Sequence, residues 1–492
     1  MTFISIAFVV FFVAIVVAYY VCPQRYRWAL LLAGSCYFYI AFVPKYIFIL
    51  FFIIIVSFIL AKQVERNIGK GRQILFIASV VIIASVLFIF KYFNFFNENV
   101  GAIASVLHWN YSIEFLSILL PLGLSFHTFQ IISYLIEVYR GKYPAEQHLG
   151  HYSLYVMFFP QLVAGPIERP AHLLPQFKRA IVFDKNNILS GLRLMAWGFF
   201  KKIVIADRFA VSVNYIYANI ADVSGPSILF AMLAFSLQLY ADFSGYTDIA
   251  RGSARVLGIE LVRNFDQPYF SRSVEEFWRR WHISLSFWFR DYVYLPLVWK
   301  RREWGIWWMY CAIVITFVLV GAWHGAAWTY VVMGILFGCY IIIGRLTKSM
   351  RQTFAVWIGL TRTPRLHTLV RTAITFALVS VAFVFFRSQD LPSAMSFLRQ
   401  MFAGWNISFE QFIEGYIVHP FAMIGMKNTE LGISLVVVAI LFFVENLERR
   451  GCLNEFLSRK SLFTRSVFYS SIVLAIVLLG MFTASTFIYF QF

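Results

Sequence analysis

The chain has 492 residues, 60% of them hydrophobic, 19% aromatic and only 13% charged, with a formal net charge of +18 at pH 7. Soluble domains carry about a quarter charged residues, so this composition excludes an ordinary soluble protein and predicts one that crosses a membrane several times. The basic excess lies in short connections between apolar runs, as in cytoplasmic loops. Membrane lipids are therefore the expected partner of those charges, and nucleic acid is not.

Apolar runs predict spans at 3–21, 28–43, 46–61, 73–90 and 114–137. Weaker elements follow near 151–165, 188–206 and 226–241, and further spans at 306–322, 328–344, 369–386, 431–446 and 466–488. The runs are continuous rather than alternating, so they read as helices and not as barrel strands. The expected fold is all-α, with about eleven to thirteen hydrophobic helices, not all of them crossing. Residues 3–21 read as a first span rather than a cleaved leader, because no basic region precedes them and no small-residue site follows.

The expected organisation is one integral membrane domain. N-terminal spans occupy 1–110, a core occupies 111–345, and C-terminal spans occupy 346–492. Prolines at 121, 160, 166 and 170 predict broken helices in the core, and broken backbone at membrane depth requires a protein-lined cavity. The stretch 242–300 is too polar to face lipid and too aromatic for a loose loop, so it reads as re-entrant or interfacial helices. The segment 388–430, with Trp405, Phe409, Phe412 and Tyr416, is expected on the membrane surface.

Basic residues set the expected orientation. Arg25 and Arg27 follow the first span, and Lys62, Arg66, Lys70 and Arg72 follow the third. Arg345, Lys348, Arg351, Arg362, Arg365 and Arg371 form a later cluster, and Arg449, Arg450, Arg459, Lys460 and Arg465 the last. Both termini are then expected outside the cytoplasm. The five cysteines (22, 36, 311, 339 and 452) are scattered and read as small core residues.

Two histidines stand out. His324 lies between two long apolar runs, in Trp323-His324-Gly325, and His282 lies in Glu275-Glu276-Phe277-Trp278-Arg279-Arg280-Trp281-His282. Ionisable groups at membrane depth mark functional sites by default. A neutral imidazole can take a proton from a hydroxyl, whose oxygen could then attack a thioester and accept an acyl group. The competing reading is a histidine hydrogen-bonded between helices, and for His282 that structural reading weighs more. The basic clusters place His324 at or below the non-cytoplasmic turn of its helical pair.

Other polar groups read as lining or support. Asp242, Ser244, Tyr246 and Asp248 surround Gly245, where a helix break with polar lining is the better account than a metal site. Trp278 and His282 are four apart and would share a helix face. Arg279, Arg280, Glu275 and Glu276 read as ion pairs that fix a helix. No phosphate loop and no serine nucleophile elbow is present.

Four blocks resemble the membrane-bound O-acyltransferase (MBOAT) family. They are Ser125-Phe126-His127-Thr128-Phe129-Gln130 with 134–141, Phe158 to Pro166, Tyr240 to Tyr292, and Trp323-His324-Gly325. The similarity is greatest to the bacterial branch serving alginate O-acetylation and teichoic acid D-alanylation. It implies helices around a central tunnel, with His324 matching the family's active-site histidine and His282 its second functional histidine. It also implies an O-acyltransferase in the bacterial inner membrane. Acetyl-CoA would be the donor substrate, with no bound cofactor or metal. The acceptor would be an exported polysaccharide, reached directly or through a periplasmic or membrane-anchored acetyltransferase partner. Transfer of D-alanine from a carrier protein to teichoic acid, and a non-enzymatic export role, are the alternatives. Trp323, Trp278, Arg279, Asp242, Ser244, Tyr246, Asp291 and Gln130 would line the tunnel or support it.

Overall fold

A computed structural model of the chain describes residues 1–406, 408, 410, 413–418, 420–449, 461–482 and 487–488. Phe409, Phe412, His419, Arg450, Cys452, Arg459 and Lys460 lie outside the described residues. The described residues form helices and no strand. Seven helical stretches among them are long and apolar enough to cross a membrane: Pro44–Arg66, Gly69–Val106, Gly225–Val256, Arg302–His324, Trp328–Leu346, Pro364–Arg387 and Asn428–Leu447. Ile6–Val21 and Ser466–Leu479 are apolar but shorter. The protein is therefore an all-α, multi-pass membrane protein.

The chain divides into two compact units. The first comprises Met1–Met195 and Thr247–Arg263, the second Ala196–Tyr246 and Asn264–Phe492. In the first unit, broken backbone is pinned by buried side chains. The span expected at 114–137 starts as a helix only at Leu124. Before it, Asn94 donates to the Leu116 carbonyl at 2.9 Å and accepts from the Leu116 N–H at 2.8 Å. Asn97 donates to Ile113 O at 3.0 Å. Two asparagines on helix Phe93–Val106 thus satisfy an extended segment that would otherwise leave amide groups unpaired in an apolar setting. Gly123, at φ 74°, then turns the chain into the helix.

The same logic holds the turn at 158–168. Gln130 and Gln161 both donate to Tyr155 O, at 2.6 and 2.7 Å, and the Tyr155 hydroxyl donates to Glu168 O at 2.9 Å. The fully buried Glu168 carboxylate accepts from Val262 N at 2.6 Å and meets His172 Nδ1 at 2.6 Å. That contact raises the His172 imidazole above its usual range.

The second unit is organised by a helical hairpin, Gly305–His324 and Trp328–Leu346. A Cβ on Gly321 would run into the Tyr330 carbonyl, and one on Gly334 into the Phe317 carbonyl. Small residues let these two backbones touch, which is how helices associate where no hydrophobic effect drives them together. Phe277, Trp278 and Phe383 pack against Phe337 of the hairpin, with Trp278 in edge contact with Phe317 and Phe337 at 5.2 and 5.0 Å. Gly334→Val would wedge the hairpin apart. We expect its detergent-solubilised form to lose the monodisperse peak of wild type in size-exclusion chromatography, whereas Gly432→Val, at a position with open space around it, keeps that peak.

Candidate active site

The polar block after residue 263 builds one side of the site. Ser273 caps helix Val274–Arg280 by accepting from Glu276 N at 3.1 Å, and Glu276 reaches back to Arg272 N at 2.9 Å. This arrangement is close to a capping box. The helix ends at Trp281, and His282 takes a left-handed conformation at φ 42° and ψ 56° before helix Ile283–Phe289 begins. A non-glycine residue there is uncommon, though histidine, asparagine and aspartate tolerate it best. Strain of this kind persists where surrounding contacts hold it. Here Asn264 holds it, accepting from Ile283 N with its carbonyl at 2.9 Å and from Ser284 N with its side chain at 3.1 Å. Two residues further on, Asp266 N donates to Arg280 O at 2.9 Å.

The turn delivers a fully buried imidazole into an aromatic cage. The His282 ring stands edge-on to Phe243 at 4.8 Å and to Trp323 at 5.7 Å. Trp323 in turn meets His324 edge-on at 5.0 Å, and His324 meets Phe386 at 5.3 Å. His324 is the last residue of helix Gly305–His324 and is only 6% exposed. One indole therefore touches both imidazoles, and both are out of water. Burial pushes the His282 imidazole below its ordinary pKa, which favours the neutral form that can accept a proton.

The other residues singled out from the sequence fall in three settings. Asp242, Ser244 and Tyr246 are buried with Phe243 on helix Gly225–Val256, which runs unbroken through Gly245, so the helix break expected there is absent. Asp242 pairs with Lys202 at 2.6 Å, Lys202 also meets Asp207 at 2.8 Å, and Asp242 accepts from Ile488 N at 2.8 Å. Its carboxylate thus anchors neighbouring segments. Tyr246 stacks on Phe487 at 4.5 Å. Arg279 and Asp291 face outward: Arg279 is 61% exposed beside Glu275, and Asp291 pairs with Arg290 at 2.8 Å. Arg345 also bonds Glu275, at 3.0 Å, and holds that carboxyl below the usual range. Gln130 belongs to the first unit and serves the turn described above.

Three site residues were not singled out from the sequence. Phe243 lay inside a quoted block but carried no chemical flag. Phe386 was one more aromatic in an apolar run. Asn264 lies 18 positions before His282, and nothing in an Asn-Phe dipeptide announces that it braces a distant turn. Among the described residues, no group of three His, Cys, Asp or Glu side chains could hold a metal ion.

Comparison with known proteins gives this geometry a context. The family model described as "MBOAT, membrane-bound O-acyltransferase family" matches residues 147–359, a range containing both histidines. The chain is 36% identical over 417 residues to "Probable alginate O-acetylase AlgI" of Pseudomonas putida, covering 83% of this chain and 82% of that protein. It is 32% identical over 403 residues to "Peptidoglycan O-acetyltransferase" of Helicobacter pylori, covering 75% and 73%. It is 29% identical over 281 residues to "Teichoic acid D-alanyltransferase" of Bacillus subtilis, covering 54% and 68%. The chain belongs to the membrane-bound O-acyltransferase family and is an O-acyltransferase.

Proposed function

We propose that the protein moves an acetyl group from cytoplasmic acetyl-CoA across the inner membrane of a bacterium to hydroxyls of an exported polysaccharide. The observation that carries this reading is the pair of buried imidazoles touching one indole, His282–Trp323–His324, in a chain of this family. Acetyl is favoured over D-alanyl because the two acetylating relatives match more of the chain, 83% and 75% against 54%. The acceptor is alginate-like and is reached directly or through a periplasmic or membrane-anchored acetyltransferase partner. Both termini face away from the cytoplasm.

In this reading His324 is the general base. Its imidazole takes the proton of the acceptor hydroxyl, and the hydroxyl oxygen bonds to the thioester carbonyl carbon. The C–S bond then breaks, and the departing thiolate takes up the proton from the imidazolium. Charge and atoms balance, and no metal is needed for these steps. His282 assists from the other edge of Trp323, staying neutral so that it can hydrogen-bond the reacting groups. The aromatic walls formed by Phe243, Trp323 and Phe386 exclude water, which would otherwise hydrolyse the activated acyl group.

Two outcomes test the reading. General acid–base catalysis contributes about 10²–10⁴-fold, so His324→Ala should lower the O-acetyl content of the exported polymer by at least about 100-fold at wild-type membrane abundance. Unchanged acetylation, or a loss that merely follows abundance, would refute the role of His324. At His282 the backbone adds a second constraint. His282→Asn tolerates the left-handed turn, whereas His282→Val places a β-branched residue there. We expect the asparagine variant to accumulate near normally with acetylation at least about tenfold lower. The valine variant should accumulate poorly, as read by immunoblot of membranes.

A further inference from the structure

We propose that Asn264 is a positioning residue for His282: it caps the helix that follows the histidine and thereby keeps the imidazole directed at Trp323. This inference rests on the reading of His282 given above for its catalytic consequence, but its structural content can be measured separately.

The first amide groups of a helix need acceptors, and the residue at the cap normally provides one with its own side chain. A histidine can do so. His148 caps helix Leu149–Met157 in this chain, its Nδ1 accepting from His151 N at 3.2 Å, with an ordinary extended backbone at φ −102°. His282 holds the equivalent position before helix Ile283–Phe289, yet its imidazole makes no cap hydrogen bond and its backbone is left-handed. The acceptors come instead from Asn264. Its carbonyl takes Ile283 N–H and its Oδ1 takes Ser284 N–H, covering the first two amides of the helix.

The difference between the two histidines has a direct consequence. With its capping duty transferred to Asn264, the His282 ring meets Phe243 and Trp323. Without the Asn264 acceptor, Ser284 N–H would be buried without a partner, at a cost of about 1–3 kcal/mol. The substitute acceptor nearest along the chain is the His282 imidazole at the cap position, from which a side chain can accept from the second or third amide of its helix. Turning to cap the helix would withdraw that ring from Trp323. Only the acceptor of Asn264 is committed in this way. Ser284 N–H fixes which side-chain atom is the oxygen, and the amide nitrogen has no hydrogen-bond partner among the described residues. Asn264→Asp therefore keeps an acceptor for Ser284 N–H and removes no hydrogen bond within the described structure. Asn264→Leu keeps the approximate volume and removes the acceptor.

The test compares these variants in the full-length membrane protein, with imidazole ¹⁵N spectra of histidine-labelled protein assigned through His282→Asn. Asn264→Leu should shift the His282 ring resonances and lower polymer O-acetylation at least about tenfold per unit of membrane protein. Asn264→Asp should leave the resonances in place and hold acetylation within about threefold of wild type. Unshifted His282 resonances in Asn264→Leu, or an aspartate variant as impaired as the leucine one, overturns the inference. If Asn264→Leu accumulates below about half of wild type, Asn264→Ser replaces it, since its acceptor is too short to reach Ser284, and the same outcomes apply. Shifted resonances together with wild-type acetylation in His282→Asn would leave the positioning intact and refute the catalytic reading of His282 instead.

Discussion

The site depends on the edge-to-face packing of two imidazoles against Trp323. A buried histidine is costly when charged and useful when neutral, so such a pair persists only inside walls that hold the rings without hydrating them. Aromatic edges provide that hold through weak, directional contacts. Phe243 and Phe386 extend the same packing outward from His282 and His324. The result is an aromatic compartment that keeps both imidazoles out of water.

Two kinds of backbone irregularity make the compartment possible. The left-handed turn at His282 departs from helical geometry, and the residues around it absorb that departure through the hydrogen bonds of Asn264 and the bond between Asp266 and Arg280. The Gly321 and Gly334 contacts act differently. They bring the two arms of the His324 hairpin backbone to backbone, so the end of helix Gly305–His324 is set by close packing. In the first unit, Asn94, Asn97, Gln130 and Gln161 brace broken segments in the same manner as Asn264. Side-chain amides substitute throughout for the backbone partners that interrupted helices lack.

Much of the architecture was legible in the sequence because hydropathy is a local signal. Runs such as 46–61 and 328–344 announce helices without knowledge of any neighbour, and the positions of His282 and His324 against those runs mark them as unusual. The start of the helix at Leu124 was misplaced by ten residues, since 114–123 is apolar enough for a span, whereas Asn94 and Asn97 bond its backbone and Gly123 turns it into the helix. Arg279 shows the opposite limit. Its place in a charged block suggested a buried ion pair, and helix Val274–Arg280 does set it beside Glu275, but on an exposed face. Asn264 was invisible for a different reason. Its importance comes from hydrogen bonds to residues 19 and 20 positions away, and no local pattern encodes a contact of that range.

The most direct measurement uses proteoliposomes of the purified protein, supplied with radiolabelled acetyl-CoA and a soluble polysaccharide acceptor on opposite sides of the bilayer, with wild type and His324→Ala reconstituted at equal amounts. The account predicts that wild type releases free CoA thiol and passes label to the far side, and that the variant does neither. Equal thiol release and equal transfer by the two proteins would contradict the claim that the histidines at Trp323 form the acyl-transfer centre.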